Sequence, residues 1–308
     1  MKKIILAVLL IISLSLSLVS CSSARYSEAL ELIEKGEYTA AYEILTELGD
    51  YKDAKETLGR FHYVPVVATY AITEDGVEKT ERVDFFYNDD NLPLQSIYTD
   101  SEGGRNVSDY TYGENGVLLK YLYTNAKSEI YSYEYTYDEN GRRVKEICVH
   151  PVDGEYVIDY TYGENGELIK EVSTYSDGDK TVVDYVYDAN GNAIKEIISW
   201  YDGDESLYEY TYDENGRMTK AVYNYYDGEQ TVLDCFYDAD GKRIKDVYKS
   251  YDGETYTYEY TYDAYGNVIK GACTGTNGFV EITEVEYTLV YIPYVLSDVV
   301  LGLLSYWQ

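Results

Sequence analysis

Basic residues are scarce: 25 Lys and Arg stand against 56 Asp and Glu, a net charge of -31 over 308 residues. Nucleic acid is thereby excluded as a partner, because affinity for a phosphate backbone comes from clustered Lys and Arg. Histidine is scarcer still. His62 and His150 are the two in the chain, far apart in sequence, and both read as surface residues. No G-x-S-x-G, no H-E-x-x-H and no Cys/His pair accompanies them, so no motif points to a nucleophile or a metal centre, and no cofactor is implied. Four cysteines without C-x-x-C spacing offer neither a disulfide framework nor a redox pair. What the chain does have is tyrosine, 41 residues against five Phe and two Trp. With 45% hydrophobic and 16% aromatic residues it is not a disordered acidic chain. The tyrosine bias fits half-buried strand positions, where the ring packs and the hydroxyl reaches water.

Residues 1–20, MKKIILAVLLIISLSLSLVS, combine a basic start with an apolar run and read as a secretory signal. The run ends in Leu18, Val19, Ser20, Cys21, which resembles the lipobox of bacterial lipoproteins. That resemblance implies acylation of Cys21, by chains such as palmitate, with 21–25 as anchor and linker outside the cytoplasm. Loss of 1–20 removes two lysines and no acids, taking the charge from -31 to -33. Anionic headgroups repel such a chain, so the lipid itself must hold it at the cell membrane. At the other end, Leu289 to Trp307 is apolar but holds Pro293 and Asp298. A last strand to about Ile292 and a capping helix over 293–308 are expected there rather than a second anchor.

Over 26–62 the apolar spacing is helical: Tyr26, Ala29, Leu30, Ile33, then Gly36, then Tyr38, Ala41, Ile44, Leu45, Leu48. Two amphipathic helices with Gly36 as a C-terminal stop account for it. The stretch YSEALELIEKGEYTAAYEILTELGDYKDAKETL resembles a tetratricopeptide-like helical hairpin whose LGDYKDA begins a third helix. One such repeat is too short to stand alone, and the resemblance implies a cap or spacer suited to protein contact.

From 63 to 292 the chain is an array. Gly116, Gly141, Gly166, Gly191, Gly216, Gly241 and Gly266 recur every 25 residues, each closing a turn such as Asp213-Glu214-Asn215-Gly216. A degenerate unit begins at Phe85, with Asn91 in place of Gly. A second turn falls between the glycines, at Asp153-Gly154, Asp177-Gly178, Asp202-Gly203, Asp227-Gly228, Asp252-Gly253 and Asn277-Gly278. Two turns per unit predict a mainly β chain, an antiparallel meander of about sixteen strands over the eight units. Alternation puts Tyr208, Tyr210 and Tyr212 on one face and Glu209 and Thr211 on the other. Lys220 is expected near Glu209 on that second face, and likewise in every unit, as a cross-strand ion pair that fixes register. Ile194 and Ile197 are three apart, which calls for a bulge or for burial on both faces. Cys148, Cys235 and Cys273 fall in slots filled elsewhere by Tyr or Ile and read as small hydrophobes.

The segment Tyr-Thr-Tyr-Asp-Glu-Asn-Gly-Arg, at 210–217 and 135–142, resembles the tyrosine-aspartate repeat of the RHS family of bacterial surface and toxin proteins. Over about 85–290 this resemblance implies a curled or spiralling sheet, and eight units are too few to enclose a cargo toxin.

Carboxylates recur in every unit, so turn and ion-pair roles outweigh catalysis for any one of them. Turns such as Asp238-Ala239-Asp240-Gly241 offer oxygen ligands, but without EF-hand spacing, and turn chemistry explains the same residues. The remaining candidates are aromatic. Tyr175, Trp200, Tyr201, Tyr225, Tyr226 and Tyr251 fall just before successive second turns, where a row beside carboxylates suits a glycan or a protein partner. The expected function is a non-enzymatic binding or adhesion module of the cell envelope. The alternatives are an envelope glycan hydrolase, which needs an unrepeated carboxylate pair, and a structural spacer, which needs no exposed aromatic row.

Overall fold

A computed structural model describes residues 22–74, 76–152 and 154–292. The signal segment with Cys21 and the expected capping helix at 293–308 lie outside the described residues. The chain divides into two compact units, described in turn.

The smaller unit holds helices α1 (22–34), α2 (Tyr38–Leu48) and α3 (Ala54–Leu58), together with the short stretches 61–64, 87–92 and 287–292. Gly36, at φ +74°, ends α1: its N–H reaches the Ile33 carbonyl at 3.0 Å, and the N–H of Glu37 reaches Leu32 at 2.9 Å. This paired 5→2 and 6→1 bonding is the Schellman stop that glycine permits. Tyr26, Ala29, Ala41, Leu45 and Ala54 form the core with Phe61 and Leu289. Tyr42 meets the Phe61 ring edge-on at 5.6 Å. The expected hairpin is present, and LGDYKDA leads into α3, as the tetratricopeptide-like resemblance implied.

The larger unit carries most of one antiparallel sheet of eighteen strands, β1 (Phe61–Glu74) to β18 (Val280–Tyr291), numbered in chain order; only 61–64 of β1, the last residue of β2 and 287–291 of β18 fall in the smaller unit. Strand β18 pairs with β1, so of the curled or spiralling sheet that the repeat resemblance implied, the curl is present and closes into a barrel, and the spiral is not. The two strands beyond the expected sixteen are β1 and β18. Neither carries the 25-residue pattern, yet their pairing removes both edges of the meander.

Each hairpin across the glycine turn contains a bulge. Between β10 (Lys180–Tyr187) and β11 (Ala193–Ser199), Val186 faces Lys195 and Tyr187 faces Ala193, which leaves Ile194 as the extra residue. The same shift recurs at Thr219, Ile244 and Ile269. It resolves the three-residue spacing of Ile194 and Ile197, since an inserted residue lets both lie on one face. After the bulge, Lys195, Lys220 and their equivalents alternate with residues that face the tyrosines.

The two faces differ sharply in burial. Cys148, Ala221, Thr231, Ser206, Cys235 and Cys273, all on the tyrosine face, are buried, whereas Val186, Phe236 and Ile269 on the other are exposed. Side chains crowd on the concave side of a closed sheet, so the tyrosines line the interior. The three cysteines there are free. Burial pushes the Cys148 thiol up to about 12 and that of Cys235 to about 11, leaving both inert.

Outside, Lys120, Lys170, Lys195, Lys220 and Lys270 lie 2.8 to 3.9 Å from Glu134, Asp184, Glu209, Asp234 and Glu284. The ladder exists, and its acid and lysine share a face as expected, but the partners differ. Lys220 stands directly opposite Asp234 of the next unit, and Glu209 opposite Lys195 of the preceding one. The bulge displaces Lys220 to face Thr211, so Glu209 lies only diagonal to it. The lysine thus recurs at one level of the outer face in seven hairpins, as the third residue of each strand.

The glycine turns are held by their first carboxylate. Asp213 accepts the N–H groups of Asn215 and Arg217 at 2.9 Å and the Arg217 guanidinium at 2.7 Å. Asp238 accepts those of Asp240 and Lys242, which accounts for it without a metal. The side-chain bond from Arg217, then its N–H, hold the Asp213 carboxyl below its ordinary 3.8, and Asn192 does the same for Asp188. A lowered folded-state value gives stability that is present above the ordinary value and lost as pH falls through the lowered one. Asn at both positions keeps the acceptor oxygen but does not titrate. The Asp188→Asn, Asp213→Asn double variant is expected to lose stability less steeply than the parent below pH 3.8, read as urea midpoints against pH; parallel acid limbs would refute the assignment.

Candidate functional site

The six candidate aromatics all lie on the rim formed by the second turns. These turns share one build: the N–H of Tyr175, Trp200 and Tyr225 reaches the carbonyl of Asp179, Asp204 and Glu229 at 2.9 Å, and the glycine N–H bonds back across the turn. The structure sorts the candidates into two sets. Tyr175, Trp200 and Tyr225 occupy the first turn position and are half-buried. Tyr175 packs at 5.5 Å against Tyr156, and Tyr225 at 6.1 Å edge-on to Tyr208, so these two join the lining of tyrosine rings. Tyr201, Tyr226 and Tyr251 occupy the second position and are 62%, 58% and 58% exposed.

Those three sit on consecutive hairpins, two strands apart, so their backbones repeat about every 10 Å along the rim. Between the first two lies a hollow of about 260 Å³ lined by Trp200, Tyr201, Asp202, Asp204 and Tyr226. Trp200 meets Tyr226 edge-on at 6.4 Å. Its indole Nε1 is shielded from solvent with no hydrogen-bond partner among the described residues. The Tyr226 N–H is tied to the buried hydroxyl of Ser206 at 3.1 Å, which fixes this turn to the neighbouring hairpin. The rim thus presents aromatic faces beside two carboxylates on a rigid edge, the chemistry that stacks on a sugar ring and accepts its hydroxyls.

Sequence reasoning did not single out the acids of the inner face. Glu146, Glu171, Glu196 and Asp246 occupy one repeat slot and accept the hydroxyls of Tyr160, Tyr185, Tyr210 and Tyr260 at 2.6 to 2.8 Å. The signal was available, because each directly follows an outward lysine and so must point inward. Burial raises the Glu196 carboxyl above its ordinary 4.5, the Tyr210 hydroxyl lowers it, and the Glu171 charge raises it further. Its contribution to stability is therefore full below the ordinary value and lost as pH rises through the raised one, opposite in sign to the turn aspartates.

Neither histidine is the freely exposed residue expected: both are half-buried. His150 points to the inner face, its ring edge-on to Tyr131, Tyr133 and Tyr156 at 5.2 to 5.7 Å and its Nε2 3.2 Å from the Tyr133 hydroxyl. His62 is half-buried, and that burial lowers its pKa. No group of three or more His, Cys, Asp or Glu arranged to hold a metal occurs among the described residues.

No protein family matches the sequence, and no curated protein matches it. Among solved structures, a porin-like protein from Bacteroides uniformis aligns with 73% of this chain and 98% of its own at 9% identity, with a TM-score of 0.43. A porin-like protein from Bacteroides vulgatus aligns over the same shares at 9% identity and a TM-score of 0.34. A Photorhabdus luminescens Tc holotoxin pore aligns with 69% of this chain at 13% identity and a TM-score of 0.23, and the match spans 16% of that chain. Likenesses at these scores assign no function.

Proposed function

We propose that this chain is a lipid-anchored, non-enzymatic binding module of the cell envelope, built from RHS-type repeats, whose rim recognises glycan. The observation that carries the proposal is the exposure of Tyr201, Tyr226 and Tyr251 on three consecutive hairpins, with Trp200, Asp202 and Asp204 beside them. A spacer has no use for such a row. A hydrolase needs an unrepeated pair of carboxylates, whereas the inner acids recur and each is engaged by a tyrosine. Cys21 supplies the membrane attachment in this reading, since the acidic charge does not.

The test is co-sedimentation of the full-length chain, kept soluble in non-ionic detergent, with insoluble cell-wall polysaccharides. Depletion from solution is expected for the parent and is expected to fall at least about tenfold in affinity, some 1.4 kcal/mol, for the Trp200→Ala, Tyr226→Ala double variant. If no polysaccharide depletes the parent, or if the double variant sediments as well as the parent, the glycan reading fails and a protein partner takes its place.

A further inference from the structure

On the same rim, where the last repeat gives way to β18, the inner face holds a second and larger cavity of about 610 Å³. Its walls are aromatic and acidic. Tyr248, Tyr256 and Phe279 stand in succession, Tyr256 6.4 Å from Tyr248 and 6.2 Å edge-on to Phe279. The Asn277 amide donates to the Tyr256 hydroxyl at 3.1 Å, which fixes that ring. Tyr258 and Cys273, with Glu74 at the end of β1 and Glu281 in β18, complete the lining, and no Lys or Arg lines the cavity among the described residues.

Phe279 is where the repeat is broken. Its slot holds Asp179, Asp204, Glu229 and Glu254 in the four preceding units. Exchange of an acid for a phenyl ring, in the one unit whose neighbouring strand ends the array, creates the third ring of the cluster.

We infer that this cavity binds a small organic ammonium ion, held between the ring faces of Tyr248, Tyr256 and Phe279 and the carboxylates of Glu74 and Glu281. Ring faces attract a weakly hydrated cation through their quadrupole, most strongly where several rings converge. Two carboxylates with no cationic partner in the lining add a negative potential that concave walls focus. An anion is repelled by both. A neutral guest of the same shape keeps the apolar contact but gains nothing from either the quadrupoles or the acids. The quaternary head therefore separates this site from a merely apolar hollow.

The experiment titrates the full-length chain in non-ionic detergent with choline and, separately, with its uncharged carbon isostere 3,3-dimethylbutan-1-ol, by calorimetry. Saturable choline binding is expected, with the isostere at least about tenfold weaker, equivalent to ~1.4 kcal/mol. Glu281→Gln is expected to weaken choline while leaving the isostere unchanged, and Phe279→Leu to weaken both. The Trp200→Ala, Tyr226→Ala variant is expected to bind choline like the parent, so failure of the rim reading and failure of this one are separable. Equal affinity for the two probes, absence of saturable choline binding, or choline binding indifferent to Glu281→Gln in a chain with parental circular dichroism overturns the inference.

Discussion

Replacement of Tyr137, Tyr162, Tyr187, Tyr212, Tyr237 and Tyr262 by Phe in one chain is expected to remove about 6 kcal/mol of stability. Each of these hydroxyls donates to a main-chain carbonyl 19 residues earlier, where the preceding unit begins its bulge. The acceptors are Leu118, Arg143, Leu168, Ala193 and Met218 at 2.7 to 2.8 Å, and Arg243 for the last. The bulge is where the ladder leaves a residue unpaired, so a side chain supplies what the neighbouring strand does not. A hydrogen bond of this kind contributes about 1 kcal/mol net. Successive tyrosines sit two strands apart, about 10 Å, near the distance beyond which effects add within ~0.5 kcal/mol. The sum, about 6 kcal/mol, is a large share of the 5–15 kcal/mol typical of a folded protein. Urea unfolding measures it. Each single Tyr→Phe is expected to shift the midpoint alike, and a sextuple variant within ~1 kcal/mol of the parent would mean that the hydroxyls bond equally well to water.

These bonds bear on what the sequence makes legible. The positions that repeat were readable because each is forced locally. Gly216 lies at φ +77°, where a side chain is strained, and Tyr212 recurs because its ring and hydroxyl have fixed places. The bulge was foreshadowed by Ile194 and Ile197, since their spacing cannot be housed on a plain strand. Pairing across the second turn was less legible. Lys220 has Glu209 and Asp234 at comparable reach in sequence, and only the bulge decides for Asp234.

Closure was not legible at all. It depends on β1 meeting β18 across more than 200 residues, and no local period records a partner at that distance. The row of six aromatics was half-readable for a related reason. Alternation says which face a strand residue takes, but it is silent on the first two positions of a turn, where Tyr225 turns inward and Tyr226 outward. Phe279 carried a signal of another kind, a departure from the repeat, and departures rather than the consensus mark where an array does something different from its neighbours.

The same contrast between repeated and unrepeated positions underlies the second large effect, expected from Arg143→Met: a loss of about 3 kcal/mol. Arg143 bonds Glu146 at 3.0 Å, and its guanidinium lies 4.5 Å above the Tyr160 ring, whose hydroxyl bonds the same carboxylate at 2.8 Å. One hundred residues on, Arg243 repeats the arrangement with Asp246 and Tyr260. The hairpins between place Leu168, Ala193 and Met218 in the arginine slot, although Glu171 and Glu196 remain in the acid slot.

Burial explains the difference. Glu146 is 8% exposed and Asp246 3%, whereas Glu171 and Glu196 are half-buried and reach water. A tyrosine hydroxyl suffices for a hydrated carboxylate; one cut off from water needs an opposite charge, and its removal leaves an uncompensated buried ion. It follows that Glu146→Gln in the Arg143→Met background restores most of the loss, because the amide still accepts from Tyr160 and carries no charge. The expected order of urea midpoints is parent, then the double variant, then Arg143→Met well below both. If the double variant is as unstable as Arg143→Met, the loss lies in the packing of the arginine stem over Tyr160 and Tyr135 rather than in the stranded carboxylate.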